Sequence, residues 1–133
     1  MHVVNGLGLK GSYKNEQAFK MDWIAKSKER GLPDDIFFEV ENEEKEPGFP
    51  DVMKIGFTQK VSFYEMKITS TNGTFKMQPT QPLFYRTHPT LDISVMVYSN
   101  ETRKLYCISG EELYKTALKK DSLVLRLEDF ENE

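Results

Sequence analysis

Two carboxylates and a lysine define the chemistry open to this chain. In the run 61–68, Val-Ser-Phe-Tyr-Glu-Met-Lys-Ile, the alternation of a β-strand puts Val61, Phe63, Glu65 and Lys67 on one face. A carboxylate and an ammonium beside two apolar groups are expensive to bury. The arrangement becomes sensible if the glutamate binds a metal ion and the lysine meets a water and a phosphate. Upstream, Gly48-Phe49-Pro50-Asp51 places a second carboxylate at the start of a neighbouring strand. A short turn between two antiparallel strands would bring Asp51 beside Glu65. Two carboxylates with a backbone carbonyl and waters form an oxygen-only site, suited to Mg²⁺ or Mn²⁺ rather than zinc. Two histidines and one cysteine cannot build an ordinary zinc site. A cation there polarises a phosphate and lowers the pKa of an attacking water. Lys67 would orient or deprotonate that water and steady the developing charge. The plainer alternative is a surface pair of Glu65 and Lys67, worth little.

Neither half of the pattern is specific alone. Pro-Asp occurs at Pro33-Asp34 and at Pro50-Asp51, and Glu-x-Lys occurs at Glu43-Lys45 and at Glu65-Lys67. With 14 Glu and 14 Lys, one or two such spacings arise by chance. Glu43-Lys45 lies in a polar run without strand character and follows Asp34 too closely for a hairpin. Only Asp51 with Glu65 and Lys67 combines strand setting and separation.

The elements that must hold these residues can be read from pattern and punctuation. Ser12 is the expected cap of a first helix over 13–30, with Gly31 as its stop and Pro33 beyond. Its apolar positions, Ala18, Phe19, Met21, Trp23, Ile24 and Ala25, cover more than one stripe, which predicts a well-buried helix; Trp23 and Phe19 are core, not a base-stacking platform. A short strand follows at 36–40, then an acidic connection over 41–48 ending in Pro47-Gly48. Strands are expected at 51–57 and 61–69, a turn at Asn72-Gly73, and a second helix from Pro79 to about Thr87. A strand pair at 91–98 and 104–108 surrounds the turn Ser99-Asn100-Glu101. Ser109 then caps a helix beginning near Gly110, with Glu112 in capping-box position, and 123–127 reads as a last strand. The order predicts one α/β domain spanning 1–133, with a mixed sheet between helices.

Composition agrees. The 133 residues suffice for one core without disulfides, and 38% hydrophobic and 12% aromatic content is unlike that of a disordered chain. No run of 18 apolar residues is present, and the polar N-terminus does not read as a secretory signal. The lone Cys107, in the apolar setting LYCIS, reads as a packing residue in a reducing, cytoplasmic compartment. The N-x-T matches at Asn72 and Asn100 are chance on that reading. Net charge is −3, but unevenly spread: +3 over 1–30, −7 over 31–51, +4 over 52–110 and −3 over 111–133. The two positive stretches suit phosphate contacts, or are ordinary solvated surface.

The segments GFPDVMKIG, VSFYEMK and MQPTQPLFYRTH resemble the PD-(D/E)xK nuclease superfamily. They are most similar to its small members, archaeal Holliday-junction resolvases and virus-type replication-repair nuclease domains. The resemblance covers about residues 13–115 and implies a restriction-endonuclease-like fold. It implies that Asp51, Glu65 and the main-chain carbonyl of Met66 ligate metal and that Lys67 is the catalytic lysine. It further implies that Glu16 on the first helix helps hold metal or its waters. Gln81, on the helix after the Glu-x-Lys strand, would complete the site. Read from the residues alone, Glu16 is a helix N-terminal charge favoured by the dipole, and Gln81 is a turn residue beside Pro82. Arg86 and His88 are open between phosphate contact and surface, and Glu39 is an outside candidate for a further carboxylate.

The expected activity is Mg²⁺-dependent hydrolysis of DNA by water attack. Small size favours recognition of shape, as at branched DNA, and a homodimer that offers two sites. The competing expectation is a nuclease-like fold without catalysis that binds nucleic acid or protein.

Overall fold

The computed structural model describes residues 1–9, 11–40 and 46–130. In chain order it contains β1 (His2–Val4), α1 (Glu16–Arg30), β2 (Ile36–Glu39), β3 (Val52–Ile55), β4 (Val61–Ile68), β5 (Thr74–Lys76), α2 (Thr80–Thr87), β6 (Ile93–Ser99), β7 (Lys104–Ser109), α3 (Gly110–Lys120) and β8 (Val124–Arg126), closed by a 3₁₀ turn, Leu127–Phe130. Six strands form one mixed sheet in the order β1-β7-β6-β4-β3-β2, and β5 pairs with β8 in a small second sheet. The protein is therefore α/β, with helices on both faces of a mixed sheet, as the pattern of elements predicts. No helix among the described residues is long and apolar enough to cross a membrane.

Two facts place the chemistry-bearing strand at the centre. β3 and β4 form an antiparallel hairpin in which Val52 opposes Tyr64. β4 then pairs in parallel with β6, Glu65 opposite Val95 and Lys67 opposite Val97. A parallel pair needs a crossover, and the chain makes it through β5 and α2. The sheet separates two cores. On one face Phe63, Val95, Val97 and Ile108 pack against Phe84, Tyr85, Leu113 and Ala117 of α2 and α3. On the other, Val52, Met66, Met96, Tyr98 and Leu105 receive Phe19, Trp23 and Ile24 of α1.

Several expectations are corrected. The first helix is capped not by Ser12 but by Asn15, whose Oδ1 accepts from the Ala18 N–H at 2.8 Å, so it begins at Glu16 rather than at 13. Ser12 and Asn15, both helix-capping residue types, stand three positions apart, and the extended backbone of Asn15 is the one that leads into the helix. The helix is also one-sided, since Met21 is 46% exposed while Phe19, Lys20, Trp23 and Ile24 are buried. Gln81 and Pro82 lie inside α2, and Pro82 is accommodated there. It occupies the first helical turn, where backbone N–H groups have no intrahelical partner to lose. Ser109 caps α3 as expected, accepting from the Glu112 N–H at 3.1 Å. The Glu112 carboxylate, however, takes the Met1 amino group at 2.6 Å. Strands β1 and β5 were not foreseen; each is three residues long and too short to show alternation. Of the acidic connection over 41–48, positions 41–45, which include Glu43 and Lys45, lie outside the described residues.

Candidate active site

The loop that carries Asp51 is wedged in place residue by residue. Gly48 has φ +87, and a Cβ built on it would lie 2.1 Å from the Thr80 carbonyl oxygen and 2.9 Å from Phe84 Cβ. Only glycine allows this loop to lie directly on the first turn of α2. Phe49 packs edge-on against Phe63 and Phe84, at ring-centroid distances of 5.3 and 5.4 Å. Pro50 is fully buried. Asp51 then joins two strands: its carbonyl accepts from the Val40 N–H at 2.7 Å, and its carboxylate Oδ2 accepts from the Met66 N–H at 3.3 Å. The next residue, Val52, opposes Tyr64, so Asp51 comes level with Glu65, as the hairpin argument requires.

Glu65 and Lys67 are 3% and 5% exposed, deep in the sheet rather than on the surface, which removes the surface-pair alternative. Their charged groups stand 4.0 Å apart. Glu16, at the first position of α1, reaches toward the same strand. The residue is exposed, yet its carboxyl end is crowded: desolvation raises its pKa above 4.5. Lys67 and the Ile68 N–H oppose that shift, and Asp51 adds to it. The Glu16 carboxyl on α1 therefore senses the charges of Lys67 and Asp51 beside β4. Glu16, Gln17, Lys20, Asp51 and Met66 line a cavity of about 260 Å³. A larger cavity of about 520 Å³, between α2 and α3, contains none of these charges.

The remaining candidates divide. Gln81 is buried on the face of α2 that also carries Tyr85, one turn on. Its Oε1 accepts from the Gln78 N–H at 2.8 Å, so that oxygen is engaged in its own turn. Arg86 is exposed and lines the larger cavity, and His88 stacks on Phe84 with its Nδ1 2.9 Å from the Phe84 carbonyl oxygen. Glu39 stands 3.2 Å from Lys20 Nζ and is engaged in an ion pair. Three residues have roles that the sequence reading missed. Lys20 is buried at 6% exposure within the cavity wall. Tyr85 is buried, its hydroxyl has no hydrogen-bond partner among the described residues, and its pKa is raised well above 10.0, first by desolvation and then by Glu65 and Asp51. Gly48 sets the loop. The signals for Lys20 and Tyr85 were their i,i+4 spacing from Glu16 and Gln81.

The donors suit a hard divalent cation in kind: the carboxylates of Asp51, Glu65 and Glu16 and the carbonyl of Met66 are all oxygen. Among the described residues, no three His, Cys, Asp or Glu side chains approach closely enough to be a ready-made metal cluster. Asp51 and Glu65 are thus the pair that a cation would draw together, with Glu16 reaching in from the helix.

No family model, curated protein or solved structure matches the chain.

Proposed function

We propose that this protein is a divalent-metal-dependent nuclease that hydrolyses DNA phosphodiester bonds, with Asp51, Glu65 and Lys67 as its catalytic core. One observation carries the reading. The fold buries a carboxylate and an ammonium mid-strand in β4 and wedges a second carboxylate level with them. That placement costs stability and has no packing reason. The likeness of GFPD and VSFYEMK to PD-(D/E)xK nucleases supports the same assignment.

In this reading Asp51 and Glu65, with the Met66 carbonyl and Glu16, hold Mg²⁺ or Mn²⁺. The cation supplies positive charge for a phosphate oxygen and acidifies a water. The Lys67 ammonium would orient that water and steady the charge that develops on the phosphate. Gln81, if its amide nitrogen faces the substrate, positions it; its oxygen is already committed. Buried walls around Glu65 and Lys67 keep bulk water away and strengthen each of these interactions. The small domain favours a homodimer acting on branched or distorted DNA, bound through Lys/Arg contacts to phosphate.

The test is cleavage of branched, linear duplex and single-stranded DNA with Mg²⁺, with Mn²⁺ and with chelator, alongside sedimentation. Metal-dependent cleavage by the wild type, lost in Asp51→Asn, is the expected result. DNA binding without cleavage under every condition would leave a non-catalytic binding module of the same fold; neither binding nor cleavage would refute the nucleic-acid reading altogether.

A further inference from the structure

Lys20 belongs to none of the motifs, yet it is one of the few charged side chains that the described fold buries, at 6% exposure. It lies one helical turn beyond Glu16, on the same face of α1. With Glu16, Gln17, Asp51 and Met66 it lines the 260 Å³ cavity. Its Nζ is 3.2 Å from Glu39 Oε1, and the Glu39 side chain remains 35% exposed.

A lysine on a one-sided surface helix ordinarily runs its stem along the protein and delivers its ammonium to water. Here the ammonium is withdrawn to the wall of a cavity whose other charged members are Glu16 and Asp51. An ammonium so near a divalent-cation site disfavours the cation on its own, because like charges repel. The same ammonium favours the cation once an anion lies between them. A phosphate oxygen can accept from a lysine N–H while facing a metal, and charge-assisted hydrogen bonds of this kind are the strong ones. Lys67 on β4 and Lys20 on α1 are both buried, and Asp51, which lines the cavity with Lys20, stands level with Glu65 on the strand that carries Lys67.

We infer that Lys20 is a phosphate-binding residue of this site, its ammonium exchanging the Glu39 carboxylate for a non-bridging oxygen of a DNA phosphodiester lying in the α1-side cavity. It touches substrate and takes no part in proton transfer. The inference rests on the nuclease reading and adds to it a substrate contact outside the Asp-Glu-Lys core.

Binding of a synthetic DNA duplex and a branched junction is measured in Ca²⁺ at several salt concentrations, for wild type, Lys20→Gln and Glu39→Gln; Mn²⁺ affinity is measured for each without DNA. Lys20→Gln should weaken DNA binding about tenfold and lower the salt slope by about 0.9, the loss of one phosphate contact. Its Mn²⁺ affinity without DNA should hold or rise. Glu39→Gln breaks the same ion pair but keeps the ammonium and removes the anion that competes with phosphate for it, so its DNA binding should tighten. A purely structural pair predicts that both variants leave DNA affinity and salt slope at wild-type values, and that outcome overturns the inference. If Lys20→Gln fails to fold, tighter DNA binding by Glu39→Gln supports the inference, and unchanged or weaker binding overturns it. A wild type that neither binds nor cuts DNA removes the nuclease reading and this inference together, whereas an active wild type with an unaltered Lys20→Gln removes only this one.

Discussion

β4 and β6 lie side by side at the same depth and differ in what they bury. Glu65 opposes Val95 and Lys67 opposes Val97. The two valines are 0% exposed, and the two charged residues are 3% and 5% exposed. β6 is the apolar run expected of a central parallel strand. β4 occupies an equivalent place and carries an ion pair instead. Replacing a buried pair by apolar groups is often neutral or stabilising by about 1–4 kcal/mol, so stability does not account for its presence. The difference between neighbours separates what the fold needs, seen in β6, from what it tolerates for another purpose, seen in β4.

The comparison breaks most visibly at Lys67. Lys67→Met should reduce cleavage by about 10²–10⁴-fold, the range of a positioned acid–base group, with circular dichroism confirming that the variant is folded; near-wild-type turnover would show β4 to be as chemically idle as β6. The reciprocal change puts a charge on the other strand. Val97→Lys should lose roughly 3–5 kcal/mol in urea unfolding, the scale of an uncompensated buried charge. A smaller loss would mean that this layer of the sheet is wetter than it looks. Making β4 resemble β6, with Glu65→Leu and Lys67→Met together, should hold stability level or raise it by about 1–4 kcal/mol while abolishing activity. Strong destabilisation there would return the pair to a structural role.

The finer effects fall on the carboxylates. Asp51→Asn keeps an oxygen for the Met66 N–H, so the loop should stay put while Mn²⁺ affinity by calorimetry falls by roughly tenfold or more. Glu16 gives the smallest and most pH-dependent effect. Its folded pKa is raised above 4.5. Mn²⁺ affinity should therefore climb as pH rises through that raised value and deprotonates the ligand, and the climb should flatten in Glu16→Gln. Stability runs the other way. The fold prefers the neutral carboxyl, so the contribution of Glu16 is complete below 4.5 and is lost as pH rises through the folded pKa. Unfolding curves for wild type and Glu16→Gln across that window should diverge in favour of the glutamine variant as pH increases.

How far the sequence disclosed this arrangement depends on the range of the signal. Alternation in 61–68 and the turn before it are local, and they located β4 and brought Asp51 level with Glu65. Capping signals found the start of α3 and the end of α1, but two capping residues close together misplaced the start of α1. β1 and β5 exist only through partners more than 40 residues away, on β7 and β8, and nothing in three residues announces that. Lys20 was hidden for a different reason. A lysine on a helix reads as solvent-facing unless one knows that Glu39 and the cavity lie opposite it. The hydroxyl of Tyr85 likewise acquires meaning only once α2 is laid across β4.

The tight β3–β4 connection also bears on the order of assembly. The hairpin closes through Gly56 and Lys60, whose backbone groups bond at 2.9 Å, so Asp51 and Glu65 meet through a short-range contact. The β4–β6 pairing that shelters them must wait for the crossover through β5 and α2, and non-local pairings of that kind form slowly. The two carboxylates should therefore meet first in a nascent, still hydrated hairpin, where their mutual repulsion is mild, and Glu65 should lose its water only when β6 docks. Such an order would let the chain gather like charges in water before the more deeply buried one is desolvated.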